Sequence, residues 1–291
     1  MDTFKQPRSK WQPLPLQAAY MALDLLHPRR DVIEARIPRT PKGTVSGYFD
    51  NHADLVRAIA PWNGRTPIYL SINELVPDVL ARARNRLKEF ATVTTAGEDV
   101  RRRRWLALDV DAVRPRGIPS TDAEMARALA RRDEVIAYLS DRGKFPAPLR
   151  TMSGNGGWGL WSVDLANSDE ITALYRAALA VLDQQFSDQD AKVDPAVAGP
   201  GQLMKLPMTI AVTGDEIPGR PHRRVEIQPP IPLHLIEPGA AKLVSLEQLR
   251  WLASQHTPAK RTYSLPPASH ATDVVELFKA MDFYIRELPD D

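Results

Sequence analysis

Asp109 and Asp111 stand two residues apart in "LALDVD", at the end of a short apolar run flanked by arginines. On a strand, residues two apart leave the same face, so both carboxylates would project together from an otherwise apolar surface. Two such charges repel, and a divalent cation between them removes that cost, which is how metal-dependent phosphoryl-transfer sites are built. The same pair is also what two solvated carboxylates at a strand end look like. Asp194, in "KVDPAV", is by itself a turn aspartate. Its interest is positional, because a sheet can bring the strand that carries it beside the one that carries Asp109.

Cations cluster nearby in sequence. Lys205 in "KLPMT" and Arg220, His222, Arg223 and Arg224 in "GRPHRRVEI" form a basic rim suited to a polyanion such as a triphosphate or a nucleic-acid backbone. The run Arg101–Arg104 and Arg150 are further candidates for nucleic-acid binding. Each basic cluster also has the bland reading of a solvated face or a charge-protected strand edge. The stretch "SGNGGWGLW", from Ser153, offers Gly154, Asn155 and Gly156 as a backbone cradle for phosphate. A strand-like segment follows it rather than a helix opening with Lys-Ser/Thr, so it is neither a P-loop nor a dinucleotide fingerprint. Asn155-Gly156 is equally a strong hairpin signal with no functional content.

The elements that must position these groups read as follows. Gln17–Leu26 has helical spacing, Asp31–Ile37 and Thr44–Phe49 read as strands, and Asn51 caps a helix running to about Ala60. Pro67–Ile72 alternates like a strand, and Leu75–Glu89 reads as helix. Trp105–Val110 is a strand, and Thr121 with Glu124 forms a capping box for a helix ending near Gly143. Leu149–Met152 and Gly157–Leu165 are strands joined by the glycine turn. Asn167 with Glu170 predicts a second capped helix, and Leu203–Leu206 and Arg223–Gln228 close with strands. From Trp105 to Leu206 the order is β-α-β-β-α-β, a split βαβ unit of the ferredoxin or RRM type. The expected class is mixed α+β, an RRM-like catalytic sheet packed with an N-terminal α/β unit. Three regions are expected: 1–100 as the N-terminal unit, 101–228 as the RRM-like unit, and 229–291 as a Pro-rich linker with terminal helices at Ser245–Gln255 and Ala271–Leu288.

Composition narrows the chemistry. The 291 residues are 43% hydrophobic and 25% charged, with a net charge of only +2, as in ordinary soluble domains. There is no cysteine, which excludes disulfides, thiol nucleophiles and cysteine-containing zinc sites, and no two of the six histidines form a metal-binding pair. Zinc is not expected; a carboxylate-held metal would be Mg²⁺ or Mn²⁺. No run approaches the ~20 apolar residues of a membrane span and no signal h-region is present, so no membrane partner and a cytoplasmic location are expected.

Taken in order, the pieces resemble the archaeo-eukaryotic primase superfamily, in the primase-polymerase domains of phage, plasmid and integrated-element replication proteins. That family has an Asp-x-Asp strand, a Ser-Gly-x-Gly-x-His hairpin and a hydrophobic-Asp motif. Its mobile-element branch continues with Asn-Pro-x-Arg, Lys-Leu-Pro-Gly-Thr and Arg-Pro-His-Arg-Arg. Here "LALDVD" (Leu106–Asp111), "SGNGGW" (Ser153–Trp158), "VD" (Val193–Asp194), "GP" (Gly199–Pro200), "KLPMT" (Lys205–Thr209) and "RPHRR" (Arg220–Arg224) follow that order, and "GYFD" (Gly47–Asp50) precedes it. The resemblance spans about residues 45 to 228.

It implies primer synthesis and DNA-templated polymerisation, with a two-ion Mg²⁺ or Mn²⁺ site held by Asp109, Asp111 and Asp194. Ser153, Gly154, Asn155, Gly156, Trp158, Lys205, His222 and Arg223 would then line the nucleotide, and Arg150, Arg101, Arg102, Arg220 and Arg224 the nucleic acid. Implied partners are single-stranded DNA template, nucleoside triphosphates and a separate helicase. The departures are Trp158 at the family's histidine, Gly199 and Gln202 at the asparagine and arginine of Asn-Pro-x-Arg, and Met208 at the glycine of Lys-Leu-Pro-Gly-Thr. Indole is a single neutral donor, and losing one charge-assisted contact costs about 1.5–3 kcal/mol of nucleotide binding. A catalytically reduced module that binds nucleic acid or a helicase, and a metal-dependent nucleotide phosphohydrolase, are the alternatives.

Overall fold

The computed structural model describes residues 13–29, 31–228 and 242–255, all within the unit Met1–His256. Helix α1 (Leu16–Leu26) buries Ala19, Ala22, Leu23 and Leu26 along one stripe. Strands β1 (Ile33–Thr40) and β2 (Gly43–Phe49) form an antiparallel hairpin with a register shift between Ile37 and Thr40. Helix α2 (His52–Ile59) starts where the Asn51 side chain accepts from the Ala53 and Asp54 backbone N–H groups. Strand β3 (Tyr69–Ser71) joins β1, whereas β4 (Glu74–Leu75) belongs to a second sheet.

The segment Leu75–Glu89 is not the single helix its spacing predicts. Only α3 (Leu80–Ala83) is α-helical, after a 3₁₀ turn opened by Pro77. The chain then runs along the outer edge of β2, exchanging Ser46 N–H to Lys88 O (3.0 Å) and Lys88 N–H to Ser46 O (2.8 Å). The unpaired edge groups of β2 outweigh helix propensity here. Gly47 permits the approach, since a Cβ there would lie 2.0 Å from Arg86 O.

The long strand β5 (Val100–Ala112) leads to α4 (Asp122–Gly143), capped reciprocally by Thr121 and Glu124 and closed by Lys144 in the left-handed region. Strands β6 (Leu149–Met152) and β7 (Gly156–Ala166) form the glycine hairpin, and α5 (Asp169–Phe186) follows. Its N-cap is Ser168 rather than Asn167, whose amide instead donates to Gly97 O and Val100 O and ties the helix start to β5.

Strand β8 (Ala191–Val193) then returns beside β5. The order β6-β7-β5-β8, all neighbours antiparallel, is that of a βαββαβ unit. Its last strand is therefore β8 and not Leu203–Leu206. Asp188 accepts from the Asp190 and Ala191 N–H groups, turning the chain back immediately after α5. Strand β9 (Leu203–Lys205) is thereby free to pair with β3, completing a four-stranded sheet β2-β1-β3-β9.

A short pair follows, β10 (Ile210–Ala211) with β11 (Arg223–Arg224), and β12 (Glu226–Gln228) extends the larger sheet beside β6. The two sheets thus exchange strands across residue 100: β4 lies in the larger sheet and β9 in the smaller. Helix α6 (Leu246–Ser254) buries Leu249 and Leu252 against the core of α4 and α5. The expected Ala271–Leu288 helix and the Pro-rich linkers lie outside the described residues. Among the described residues no helix is long and apolar enough to cross a membrane.

Helix α4 covers one face of the larger sheet, where Gly157 and Gly159 admit Leu129 and Ile136, and α5 packs beside it through Tyr138 and Phe186 (centroids 5.3 Å apart). The opposite face carries Trp105, Asp109 and Asp111. Trp105 donates to Leu26 O at the end of α1, leaving the C-terminal half of that face to the two aspartates.

Candidate functional site

Asp109 lies between two neighbours on one face of the sheet. Trp158 is its partner across β7, and on the other side the Asp194 N–H donates to Asp109 O at 2.9 Å, continuing the β8 ladder. Asp111, two residues on, pairs with Gly156 and with Lys192. Residues directly opposite in an antiparallel ladder share a face, so topology groups Asp109, Asp111, Asp194, Lys192 and Trp158 on one side. Asp109 Oδ1 is buried with no hydrogen-bond partner. Burial pushes the Asp109 carboxyl well above the usual carboxylate range; Asp111 and Asp194 push it further, and Lys205 and Arg114 pull against them. One Asp194 oxygen accepts from Ala196 N–H (2.9 Å), holding that side chain at the start of a 3₁₀ turn.

Lys205 acts by charge on Asp109 from the other sheet. It sits opposite Tyr69 in the β3–β9 ladder, with Nζ 5.9 Å from the centre of the Tyr69 ring. Two further cations were not singled out in the sequence. Lys192 stands across from Asp111, and Arg114 Nη1 is 3.9 Å from Asp111 Oδ1 while donating to Ala112 O. The available signal was position alone: Lys192 precedes Asp194 by two residues and Arg114 follows Asp111 by three.

The glycine stretch is a tight hairpin. Ser153 N–H donates to Gly156 O (2.9 Å), and Gly154 takes φ +98°, where a Cβ would also strike Ala211. A Cβ on Gly156 would lie 2.0 Å from Val110 O, so glycine is what allows β7 to close against the aspartate strand. Asn155 faces inward, its Oδ1 accepting from Ser120 N–H (2.8 Å) and Ser120 Oγ (3.2 Å), which ties the hairpin to the start of α4. Ser153 is buried. Trp158 is only 6% exposed and belongs to the main core, which leaves little ring surface for a base.

The basic candidates are mostly engaged. Arg220 clamps Glu124 with two bonds (2.7 and 2.8 Å), and these hold the Glu124 carboxyl below its usual range. Arg223 donates to Ser120 O, Gly154 O and Asp122, stapling the hairpin to α4, and Arg224 donates to Met208 O. His222 Nε2 is 2.9 Å from Gly214 O. Arg102 pairs with Asp164, Arg101 with Glu74 and Arg150 with Asp133. Arg103 is buried over the Tyr175 ring, and Arg104 bridges Glu74 and Asp164. The turn Leu206–Thr209 has Pro207 in its second place and Met208 at φ +76°, with Thr209 N–H donating to Leu206 O. This is a type II turn, whose third place favours glycine.

Mg²⁺ or Mn²⁺ suits the donor chemistry of the acidic group, which offers hard carboxylate oxygens, one of them buried and unpartnered. Among the described residues, no three of His, Cys, Asp and Glu already stand together as a metal-holding group.

No protein-family model matches the chain, and no curated protein matches it. Among solved structures, one described as the crystal structure of primase RepB′ is similar over 82% of this chain, at 13% identity and a TM-score of 0.42. The match covers 62% of that structure's length. A likeness at this level carries no functional conclusion.

Proposed function

We propose that the chain is a metal-dependent nucleotidyltransferase of the primase-polymerase kind, acting on single-stranded DNA in the replication of a phage, plasmid or integrated element. The observation that carries this reading is the orphaned, buried Asp109 oxygen flanked by the carboxylates of Asp111 and Asp194. An unpartnered buried carboxylate oxygen is a cost to the fold, which a bound cation would offset. The order of motifs read from the sequence adds to it, as does the glycine-type backbone of Met208 at the place where the resembling family has glycine.

Asp109, Asp111 and Asp194 would hold Mg²⁺ or Mn²⁺, which when bound supplies charge neutralisation to the reacting phosphoryl group. The chain's own residues do the remainder. Lys205, Lys192 and Arg114 draw a triphosphate toward the carboxylates by charge. The Asn155–Ser120 and Arg223–Gly154 bonds fix the hairpin that borders Asp111, so the positioning groups need no reorganisation during reaction. Template and nucleoside triphosphates are the partners of this reading, with a separate helicase for unwinding.

A steady-state primer-extension assay with Mn²⁺ on single-stranded template tests it. Template-dependent product is expected; no product with any nucleoside triphosphate overturns it. The buried Trp158 favours a second reading, a catalytically reduced module of the same fold. That reading requires template binding without synthesis.

A further inference from the structure

The nucleic-acid candidates named from sequence are held in ion pairs or backbone hydrogen bonds, so they do not mark the path of a strand. A different surface carries unpaired charge. A groove of about 640 Å³ lies between the β1–β2 hairpin, the segment after α2 and the loop after β10. Arg39, Trp62, Arg65, Tyr69, Thr213 and Asp215 contribute to its lining. We propose that this groove binds single-stranded nucleic acid, its bases stacking on Trp62 and Tyr69 and its phosphates pairing with Arg39 and Arg65.

Five observations point there. The guanidinium groups of Arg39 and Arg65 make no ion pair or hydrogen bond among the described residues, in contrast to the arginines of both basic runs, and both residues are exposed. Arg39 stands at φ +57° within the register shift of β1, a bulge of the kind that re-aims a side chain. Thr213 Oγ1 is buried without a partner at the groove wall, leaving a donor for a polar ligand group. Tyr69, which lines the groove, stands opposite Lys205 in the β3–β9 ladder, and the Lys205 charge acts on Asp109. Among the described residues Asp215 is the single acidic lining residue against two free cations, so the charge balance favours a polyanion. Aromatic faces beside basic groups are what sequence-tolerant binding of single strands requires.

This inference rests on the reading of the chain as a template-using enzyme, but binding can be measured apart from synthesis. The test is fluorescence anisotropy of a labelled oligothymidylate in EDTA. Wild-type protein is expected to bind with salt-sensitive affinity. Trp62→Ala should weaken binding about tenfold or more. The double variant Arg39→Gln with Arg65→Gln should weaken it similarly and lower the salt slope by about 1.4, while melting with the wild type because neither guanidinium has a partner among the described residues.

Wild-type affinity in both variants overturns the proposal, as does failure of the wild type to bind. Equal displacement of the oligonucleotide by polyglutamate and by unlabelled oligothymidylate also overturns it, and assigns the groove to an acidic peptide. Template-dependent synthesis with unaffected groove variants removes the groove and leaves the enzyme. Binding lost in the variants without any synthesis by the wild type does the reverse.

Discussion

Asp109→Asn lowers template-dependent synthesis by about 100-fold or more and, in the same protein, raises thermodynamic stability. On the proposed reading the activity loss follows from removing a metal ligand, since even outer-shell changes at metal sites cost about 10- to 100-fold. The gain in stability follows from the environment. Asp109 Oδ1 is buried without a partner and the neighbouring carboxylates repel its charge. An amide of the same shape removes that charge and offers donors to those neighbours, for a gain of about 1–3 kcal/mol. The pH dependence has a definite sign. Because the folded-state carboxyl holds its proton to higher pH than the unfolded one, wild-type stability in EDTA falls as pH rises above the ordinary aspartate range toward the raised folded value. The Asn variant lacks that slope. Urea unfolding across pH reads both effects, and a structural carboxylate would lose stability on substitution instead. Mn²⁺ should raise the wild-type melting temperature and leave the variant's unchanged, because an ion that binds only the folded state stabilises it by mass action.

Glu34→Ala destabilises the fold by about 1–3 kcal/mol, the cost of leaving the hydrogen-bonding partners of a buried carboxylate unsatisfied. Glu34 is fully buried at the polar face of the β1–β3 sheet. It accepts from Arg36 Nε (2.9 Å) and Nη2 (2.5 Å), Ser46 Oγ (2.5 Å) and Thr95 N–H (3.1 Å), and its own N–H donates to Ser71 Oγ (3.0 Å). Burial pulls the Glu34 carboxyl up, but Arg36, Ser46 and Thr95 outweigh it and hold the group below its usual range. With a depressed folded value, its stabilisation is complete above about pH 5 and disappears as pH falls through that folded value. Glu34→Gln should therefore unfold with a flatter acid limb than the wild type. Unfolding midpoints measured against pH check both variants; an unchanged midpoint for Glu34→Ala contradicts the assignment. Ser71 ends β3, the strand that pairs with Lys205's strand, so the variant should also weaken nucleotide binding.

What the sequence made legible was local. Two-residue spacing placed Asp109 and Asp111 on one face, Thr121 with Glu124 marked the start of α4, and the glycines marked the β6–β7 hairpin. Each signal lies within a few residues. Position marked Asp194 as a carboxylate that a sheet could bring beside Asp109, but the strand that does so was not visible. Strand β8 is three residues long with only Ala191 and Val193 apolar, too little for a period to show, and the longer Leu203–Leu206 took its place in the reading. The pairing of the arginines was hidden for a related reason. Arg102 meets Asp164 and Arg220 meets Glu124 across 62 and 96 positions, so composition displayed free cations where the fold has clamps. Arg39 and Arg65, unpaired among the described residues, carry no motif at all. Leu75–Glu89 misled because its apolar spacing suits a helix, while the edge of β2 needed its backbone.

Asp109, Asp111 and Asp194 are proposed to act together on a metal-bound nucleotide. The most direct measurement is an anomalous-difference map from crystals grown with Mn²⁺ and a non-hydrolysable nucleoside triphosphate. Manganese density shared by the three carboxylates, with the phosphates beside Lys205, is the result expected. Manganese bound elsewhere, or a nucleotide seated away from these carboxylates, contradicts it.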